Sequence, residues 1–234
     1  MPTSYNCKKK FWPTVLFRRM RHLSKWCCHW SGNSNLLHFT MGSTHHPSKE
    51  KNIARCYQLL HSFRSKNIWT YKKAFVTYVR PVLEANTVVW CPYLKKDVIA
   101  VEKVQEKFFK AICRRCNVRT RTYYERLNAL DIETLEYRRH KFDVIMVFKI
   151  IHELVDVDFN DFFSFSNTPY NLRRHRFHIE GVKCNSNTRK HFFANRIVNI
   201  WNGLPSTIVE SSSLETFRRR LNTFNLRSIQ KMVY

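Results

Sequence analysis

Asn187-Thr-Arg-Lys-His-Phe-Phe-Ala-Asn-Arg-Ile-Val-Asn-Ile-Trp-Asn-Gly-Leu-Pro205 decides how the chain is read. Arg189, Lys190 and His191 open the stretch, Phe192 and Phe193 come next, and an apolar run reaches Trp201. This pattern predicts a cationic helix with one packed face, from about Thr188 to Asn202. Gly203 ends it, and Pro205, which has no amide hydrogen, bars continuation.

The segments on either side extend the helical pattern. Downstream, Ser212-Ser-Leu-Glu215 has capping-box spacing and predicts a last helix through Phe217, Leu221 and Phe224. Upstream, Asn167 to Lys183 changes character. There Phe177, Ile179 and Val182 interrupt the basic run Arg173-Arg-His-Arg176, which predicts a loop with short extended segments. Asp131 is the expected N-cap of the longest helix, ending near Leu154. Phe142, Ile145, Phe148, Ile151 and Leu154 form its expected apolar face. Thr122-Tyr-Tyr-Glu125 is a second capping box. Asp97 begins an amphipathic helix whose inner face is Val98, Val101, Val104, Phe108 and Ile112. Lys103, Lys107, Lys110 and Arg114 lie largely elsewhere on it.

Helical periodicity starts at Lys49, with Ile53, Tyr57, Leu60 and Phe63 at helical spacing. Trp69, Phe75, Tyr78, Val79 and Arg80 belong to a second segment, which Pro81 kinks or restarts. Pro92 ends the stretch beyond that kink. Residues 1–48 show no sustained period and are read as irregular, and 227–234 as a tail. The expected fold is mainly α: a helical domain over 49–226 with small extended segments near 167–183.

Composition bounds the function classes. With 234 residues and 44% hydrophobic content there is enough material for one core, and 15% aromatics argue against a disordered chain. Lys plus Arg is 41 against 17 Asp plus Glu, a formal charge of +24. Such an excess attracts polyanions, and nucleic acid leads, because each neutralised phosphate releases a counterion. No apolar run approaches the roughly 20 residues that span a bilayer. Eight cysteines without a regular framework, and no secretory segment ahead of them, read as reduced thiols of an intracellular protein, nuclear or cytoplasmic.

Several strings resemble, in one order, the reverse transcriptases of non-LTR retrotransposons of the CR1/jockey-like group. They are Leu60-His-Ser-Phe-Arg-Ser-Lys-Asn67, Tyr78-Val-Arg-Pro-Val-Leu-Glu84 with Val88-Val-Trp-Cys-Pro-Tyr93, and Val101-Glu-Lys-Val-Gln-Glu-Lys-Phe108. Tyr124-Glu-Arg-Leu127, Leu135-Glu-Tyr-Arg-Arg139 and Phe148-Lys-Ile150 continue the series. Asn187–Pro205 and Ser213-Leu-Glu-Thr-Phe-Arg-Arg219 close it. Ala85 and Cys91 stand where the family's pattern has Tyr and Ser. The resemblance covers roughly Lys49 to Leu226. It implies a helical thumb and C-terminal extension that grip the primer–template duplex, placed after a palm. Within 1–48, Leu23-Ser-Lys-Trp-Cys-Cys-His-Trp30 and Leu37-His-Phe-Thr-Met-Gly42 resemble pieces of late palm, as in a truncated reading frame.

The family's polymerase chemistry needs carboxylates that hold two divalent metals, two of them from adjacent aspartates. The aspartates here are 97, 131, 143, 156, 158 and 161, and no two are adjacent. The chain alone is therefore expected not to polymerise and to need no cofactor, divalent metal belonging to the intact family enzyme. Asp156, Asp158 and Asp161 read as a capped turn. Cys113 and Cys116 have zinc-ligand spacing without a second pair, and Cys27, Cys28 and His29 with His45 and His46 form another loose set. Two alternatives stay open: one part of a working polymerase whose palm is encoded upstream, and a small basic zinc-dependent nucleic-acid-binding protein.

The expected binding residues are the basic ones. Arg173, Arg174, Arg176, Lys183, Arg189, Lys190 and Arg196 form the main cluster, extended by Arg138 and Arg139 with Lys141. Expected partners are RNA, DNA or an RNA–DNA hybrid held through phosphates, and the missing palm region, but no membrane. Phe192, Phe193 and Trp201 are first of all core. Loss of a palm is expected to bare apolar surface and lower solubility.

Overall fold

The computed structural model describes residues 47–166, 175–226 and 229, and these are mainly helical. The expectations for Arg173, Arg174, residues 1–46 and the tail lie outside the described residues. Helix α1 (Pro47–Ser62) opens with proline in its first turn, where the missing amide hydrogen costs nothing. Helix α2 (Ile68–Ala74) is capped by Asn67, whose side chain accepts from the Trp69 amide at 3.0 Å. It runs into a π-turn, Phe75–Val79, and then α3 (Arg80–Leu83). Pro81 cannot donate to the carbonyl one turn back, and the widened turn before it makes room for its ring.

Helix α4 (Lys95–Arg115) buries Val101, Val104, Phe108 and Ile112 as its periodicity requires, and Gln105, Phe109 and Cys113 beside them. At 21 residues it is longer than the 17-residue α6 (Leu135–Ile151), the helix expected to be the longest. Helix α5 (Tyr123–Ala129) starts as expected: the Thr122 hydroxyl accepts from the Glu125 amide at 3.2 Å. Around these elements lies a first core containing Cys56, Tyr71, Phe75, Leu83, Val104, Phe108, Phe109, Ile112 and Leu135. Ile53, Leu60 and Phe63 pack partly buried against this core as expected, with Asn52 and Cys56 buried inside it, whereas Tyr57 points outward at 59% exposure.

Asp131 is not an N-cap. It sits at φ 48° just past α5, with its amide on Asn128 O at 3.1 Å and the next amide, Ile132, on Leu127 O at 2.9 Å. These bonds close the end of α5. The N-cap of α6 is Thr134, whose side chain accepts from the Tyr137 amide. Asn117 (φ 56°) closes α4 in the same way, and Glu153 (φ 53°) closes α6 just before Leu154. Leu154 is accordingly 53% exposed. The predicted inner face of α6 is also corrected: Val144, Val147, Phe148 and Ile150 are buried, while Phe142, Ile145 and Ile151 are only partly so. A helix covered on two sides carries no single apolar stripe.

Beyond α6, a 3₁₀ turn (Phe159–Asp161) is capped by Asp158. Phe165 and Ile179 form an antiparallel bridge, consistent with the extended segments expected there. Asn187–Pro205 is not one helix. It divides into α7 (Asn187–Lys190), α8 (Phe193–Arg196) and α9 (Val198–Asn202). Phe192 is extended (φ −66°, ψ 148°), and the Asn195 side chain bonds the Arg189 carbonyl at 2.8 Å across the break. The break lets Phe193 enter the core while Arg196 and Trp201 reach two different neighbours. Gly203 ends α9 at φ −84°, so left-handed freedom is not its purpose. A Cβ there would meet Ile229 Cγ2 at 2.8 Å.

Helices α10 (Ser206–Val209) and α11 (Leu214–Thr223) complete the chain order. The cap of α11 is Ser213, one residue later than expected, accepting from the Thr216 amide at 3.2 Å. A second core gathers Val144, Val147, Phe148, Phe163, Phe193, Ile197, Trp201, Phe217 and Leu221.

Candidate nucleic-acid interface

The two cores meet across a polar seam, and the seam uses several of the basic residues expected to bind phosphate. Asp143 on α6 is fully buried. Arg196 grips it with two bonds, Nε to Oδ2 and Nη2 to Oδ1, both 2.9 Å. The same guanidinium donates to the carbonyls of Thr87 and Val88 at 3.1 Å and of His191 at 3.2 Å. One side chain thus ties α6, the loop after α3, and the break between α7 and α8. Burial pushes the Asp143 carboxyl up to about 6, against the pull of Arg196. Burial next to Arg196 and Arg139 pushes His140 down to about 4.

Arg138 and Arg139 are occupied in the same seam. Arg138 pairs with both oxygens of Glu84, Nη2 lying 3.1 Å from Oε2, and reaches Glu133 at 3.5 Å. Arg139 is only 2% exposed, with Nη2 at 3.5 Å from the Leu83 carbonyl. Lys141 binds Glu133 and the Asn222 side chain, the latter at 3.0 Å. Arg138, Arg139, Lys141 and Arg196 therefore hold the fold together and do not form an outward-facing track. A helix with covered sides buries cations that a sequence shows only as charge.

A second polar network lies inside the first core. Glu102 accepts from the Leu135 amide at 3.0 Å and from the Tyr123 hydroxyl at 2.5 Å. Gln105 donates to Tyr123 at 2.9 Å and to the Glu133 carbonyl at 3.1 Å. A carboxylate from α4 thereby satisfies an amide at the start of α6. Burial pushes the Glu102 carboxyl up despite these bonds.

The other predicted residues that the structure describes face water. Arg176, Lys183, Arg189 and Lys190 are exposed, on α7 and on the segments leading to it. The backbone beneath them is fixed: Trp201 Nε1 donates to the Phe177 carbonyl at 2.8 Å, and the Asn202 amide bonds both Ile179 N and Ile179 O, at 3.0 and 2.8 Å. The His175 ring bonds the Trp201 carbonyl at 3.2 Å. Phe193 and Trp201 are buried, which leaves neither ring a face for stacking on a base. Among the described residues no group of His, Cys, Asp and Glu is arranged to hold a metal. Cys113 is buried and Cys116 half-buried, and burial pushes both thiols up. Asp156, Asp158 and Asp161 stay on the surface turn. No described helix is long and apolar enough to cross a membrane.

Sequence reasoning passed over Arg119 and Arg121, which with Lys110, Arg114 and Arg126 line an open concavity at the end of α4. The density of arginine between 114 and 121 was the available signal. No family model matches the chain, and neither does any solved structure. An uncharacterized protein of Caenorhabditis elegans is 24% identical over 106 residues, which is 45% of this chain and 52% of that protein. The chain thus spans about half the length of the relative it matches.

Proposed function

We propose that this chain is the thumb and C-terminal region of a non-LTR retrotransposon reverse transcriptase of the CR1/jockey-like group. It is catalytically incomplete and grips nucleic acid through its phosphates. The observation that supports this is how the family-like strings interlock. Glu84 of Tyr78–Glu84 pairs with Arg138 of Leu135–Arg139. Glu102 of Val101–Phe108 caps Leu135. Arg196 of Asn187–Pro205 holds the Thr87 and Val88 carbonyls. Such contacts join strings that lie far apart in the sequence. These contacts support kinship of fold; the binding chemistry falls to the exposed cations Arg176, Lys183, Arg189 and Lys190.

The full chain is expected to bind an RNA–DNA hybrid with steep salt dependence and little sequence preference. The double variant Arg176→Glu, Arg189→Glu weakens that binding while its thermal melt stays unchanged. Unaltered affinity in this variant removes the cluster from the interface. In a primer-extension assay the chain alone adds no nucleotide, since its sequence has no adjacent aspartates to hold paired metals. Detectable extension refutes the catalytic part of the proposal.

A further inference from the structure

Helix α4 carries a second cationic surface, apart from the C-terminal cluster. Lys96, Lys103, Lys107, Lys110 and Arg114 succeed one another at spacings of seven, four, three and four residues. At about 100° per residue they fall within about 60° of one another, and at about 1.5 Å per residue they span about 27 Å. All five are exposed, and none has an ion-pair partner among the described residues. Of the three acids of this helix, Asp97 lies in the first turn off the row, Glu102 faces inward to Leu135, and Glu106 pairs with Arg126 at 3.5 Å. Like charges three and four residues apart repel, so the row costs the free helix stability. At its C-terminal end Lys110 and Arg114 continue into the concavity that Arg119, Arg121 and Arg126 line with them.

We infer that this face of α4 is a further nucleic-acid contact, a straight track for the sugar–phosphate backbone of a duplex. A rigid, unpaired row of cations is complementary to a regular line of phosphates, and about 27 Å covers about eight base pairs at 3.4 Å each. No aromatic side chain lies on the row to stack on the bases of a single strand. Nor does a set of large apolar residues flank it for insertion into a membrane surface; Ile99 alone, at 51% exposure, lies near. The track takes the ligand class of the proposed function and rests on that reading for its partner, but it uses none of the same residues.

The test is a salt titration of hybrid binding by the full chain and by its variant Lys103→Gln, Lys107→Gln, Lys110→Gln. Glutamine removes the charge and keeps the helix propensity, so the melt should hold or rise slightly as the repulsion is relieved. Each lost phosphate contact lowers the slope of log affinity against log salt by about 0.9, so the triple variant loses about 2.7 and, at 0.1 M relative to 1 M salt, about five-hundredfold in affinity. An unchanged slope in this variant, with steep binding by the parent chain, overturns the track and leaves the C-terminal cluster standing. Flat salt dependence in the parent overturns both. A variant that loses only single-stranded RNA binding, or only binding to phosphatidylserine vesicles, replaces the duplex with that ligand.

Discussion

The two cores are similarly apolar but built in opposite ways. The first is framed by the long helices α1, α4 and α6 with shorter ones between them, and Asn117 and Asp131 in the left-handed region close the ends of α4 and α5 through their own backbone. Within it Phe75 stacks on Phe108 at a centroid distance of 4.9 Å, lies tilted against Phe109 at 4.9 Å, and Phe108 meets Phe109 edge to face at 5.6 Å. The second is assembled from helices of four, four, five, four and ten residues after α6. Helices so short have little stability of their own. Side chains that bond backbone hold them instead: Arg196, Trp201, Asn202 and Asn195. Periodicity specifies the first region, and particular polar contacts specify the second. Helix α6 belongs to both, with Leu135 in one core and Val144, Val147 and Phe148 in the other.

If ionic contacts join the regions, removing the main one should have the largest effect. Arg196→Met strands Asp143 in the seam and is expected to cost about 3–5 kcal/mol near neutral pH. Because the chain has six tryptophans, urea unfolding is followed in two single-tryptophan backgrounds, one keeping Trp90 and one keeping Trp201, which should then give two transitions where the parent backgrounds give one. Coincident transitions in the variant contradict the seam's role as the joint. The cost shrinks near pH 5, where an unpaired buried carboxyl takes up a proton.

Glu102→Ala tests the first region's internal network. It leaves the Leu135 amide and the Tyr123 hydroxyl without their acceptor, at a cost of about 1–3 kcal/mol. Calorimetry that finds no loss would mean that water replaces the carboxylate.

The seam also sets a pH dependence made of opposing parts. Asp143, raised from 3.8 to about 6, stabilises the fold below its unfolded value, and that contribution is lost as pH rises through about 6. His140, lowered from 6.5 to about 4, contributes stability that is present above 6.5 and lost as pH falls towards about 4. His152, His175 and His191, lowered by burial, act in the same sense as His140. His140→Gln should therefore make stability rise less steeply with pH between about 4 and 6.5. An unchanged slope removes His140 from the balance.

The smallest expected effect is favourable. Glu153→Gly relieves a left-handed residue at the end of α6 and should stabilise by about 0.5–1 kcal/mol in urea titrations. Destabilisation would mean that the Glu153 side chain makes a contact worth more than its backbone strain.

The same contrast governs what the sequence made legible. Thr122 and the inner face of α4 could be read from local chemistry and period, because a long helix against one core leaves a regular trace. Asp131 misled because aspartate suits both an N-cap and a left-handed C-terminal position, and only the bonds of Ile132 and Asp131 to α5 separate the two. Asn187–Pro205 read as one helix because its apolar spacing is helical on both sides of Phe192, where the break depends on distant partners. Arg139 and Arg196 looked like surface cations because nothing local to them reveals Asp143 or the Leu83 carbonyl. The exposure of Arg176, Lys183, Arg189 and Lys190 was legible, because a solvated charge needs no partner.

The most direct test of a phosphate-gripping chain is the affinity of the full protein for an RNA–DNA hybrid measured across a range of salt. Log affinity should fall along a straight line against log salt, by about 0.9 for each of the several phosphates engaged. A line that stays flat from low to moderate salt would contradict it.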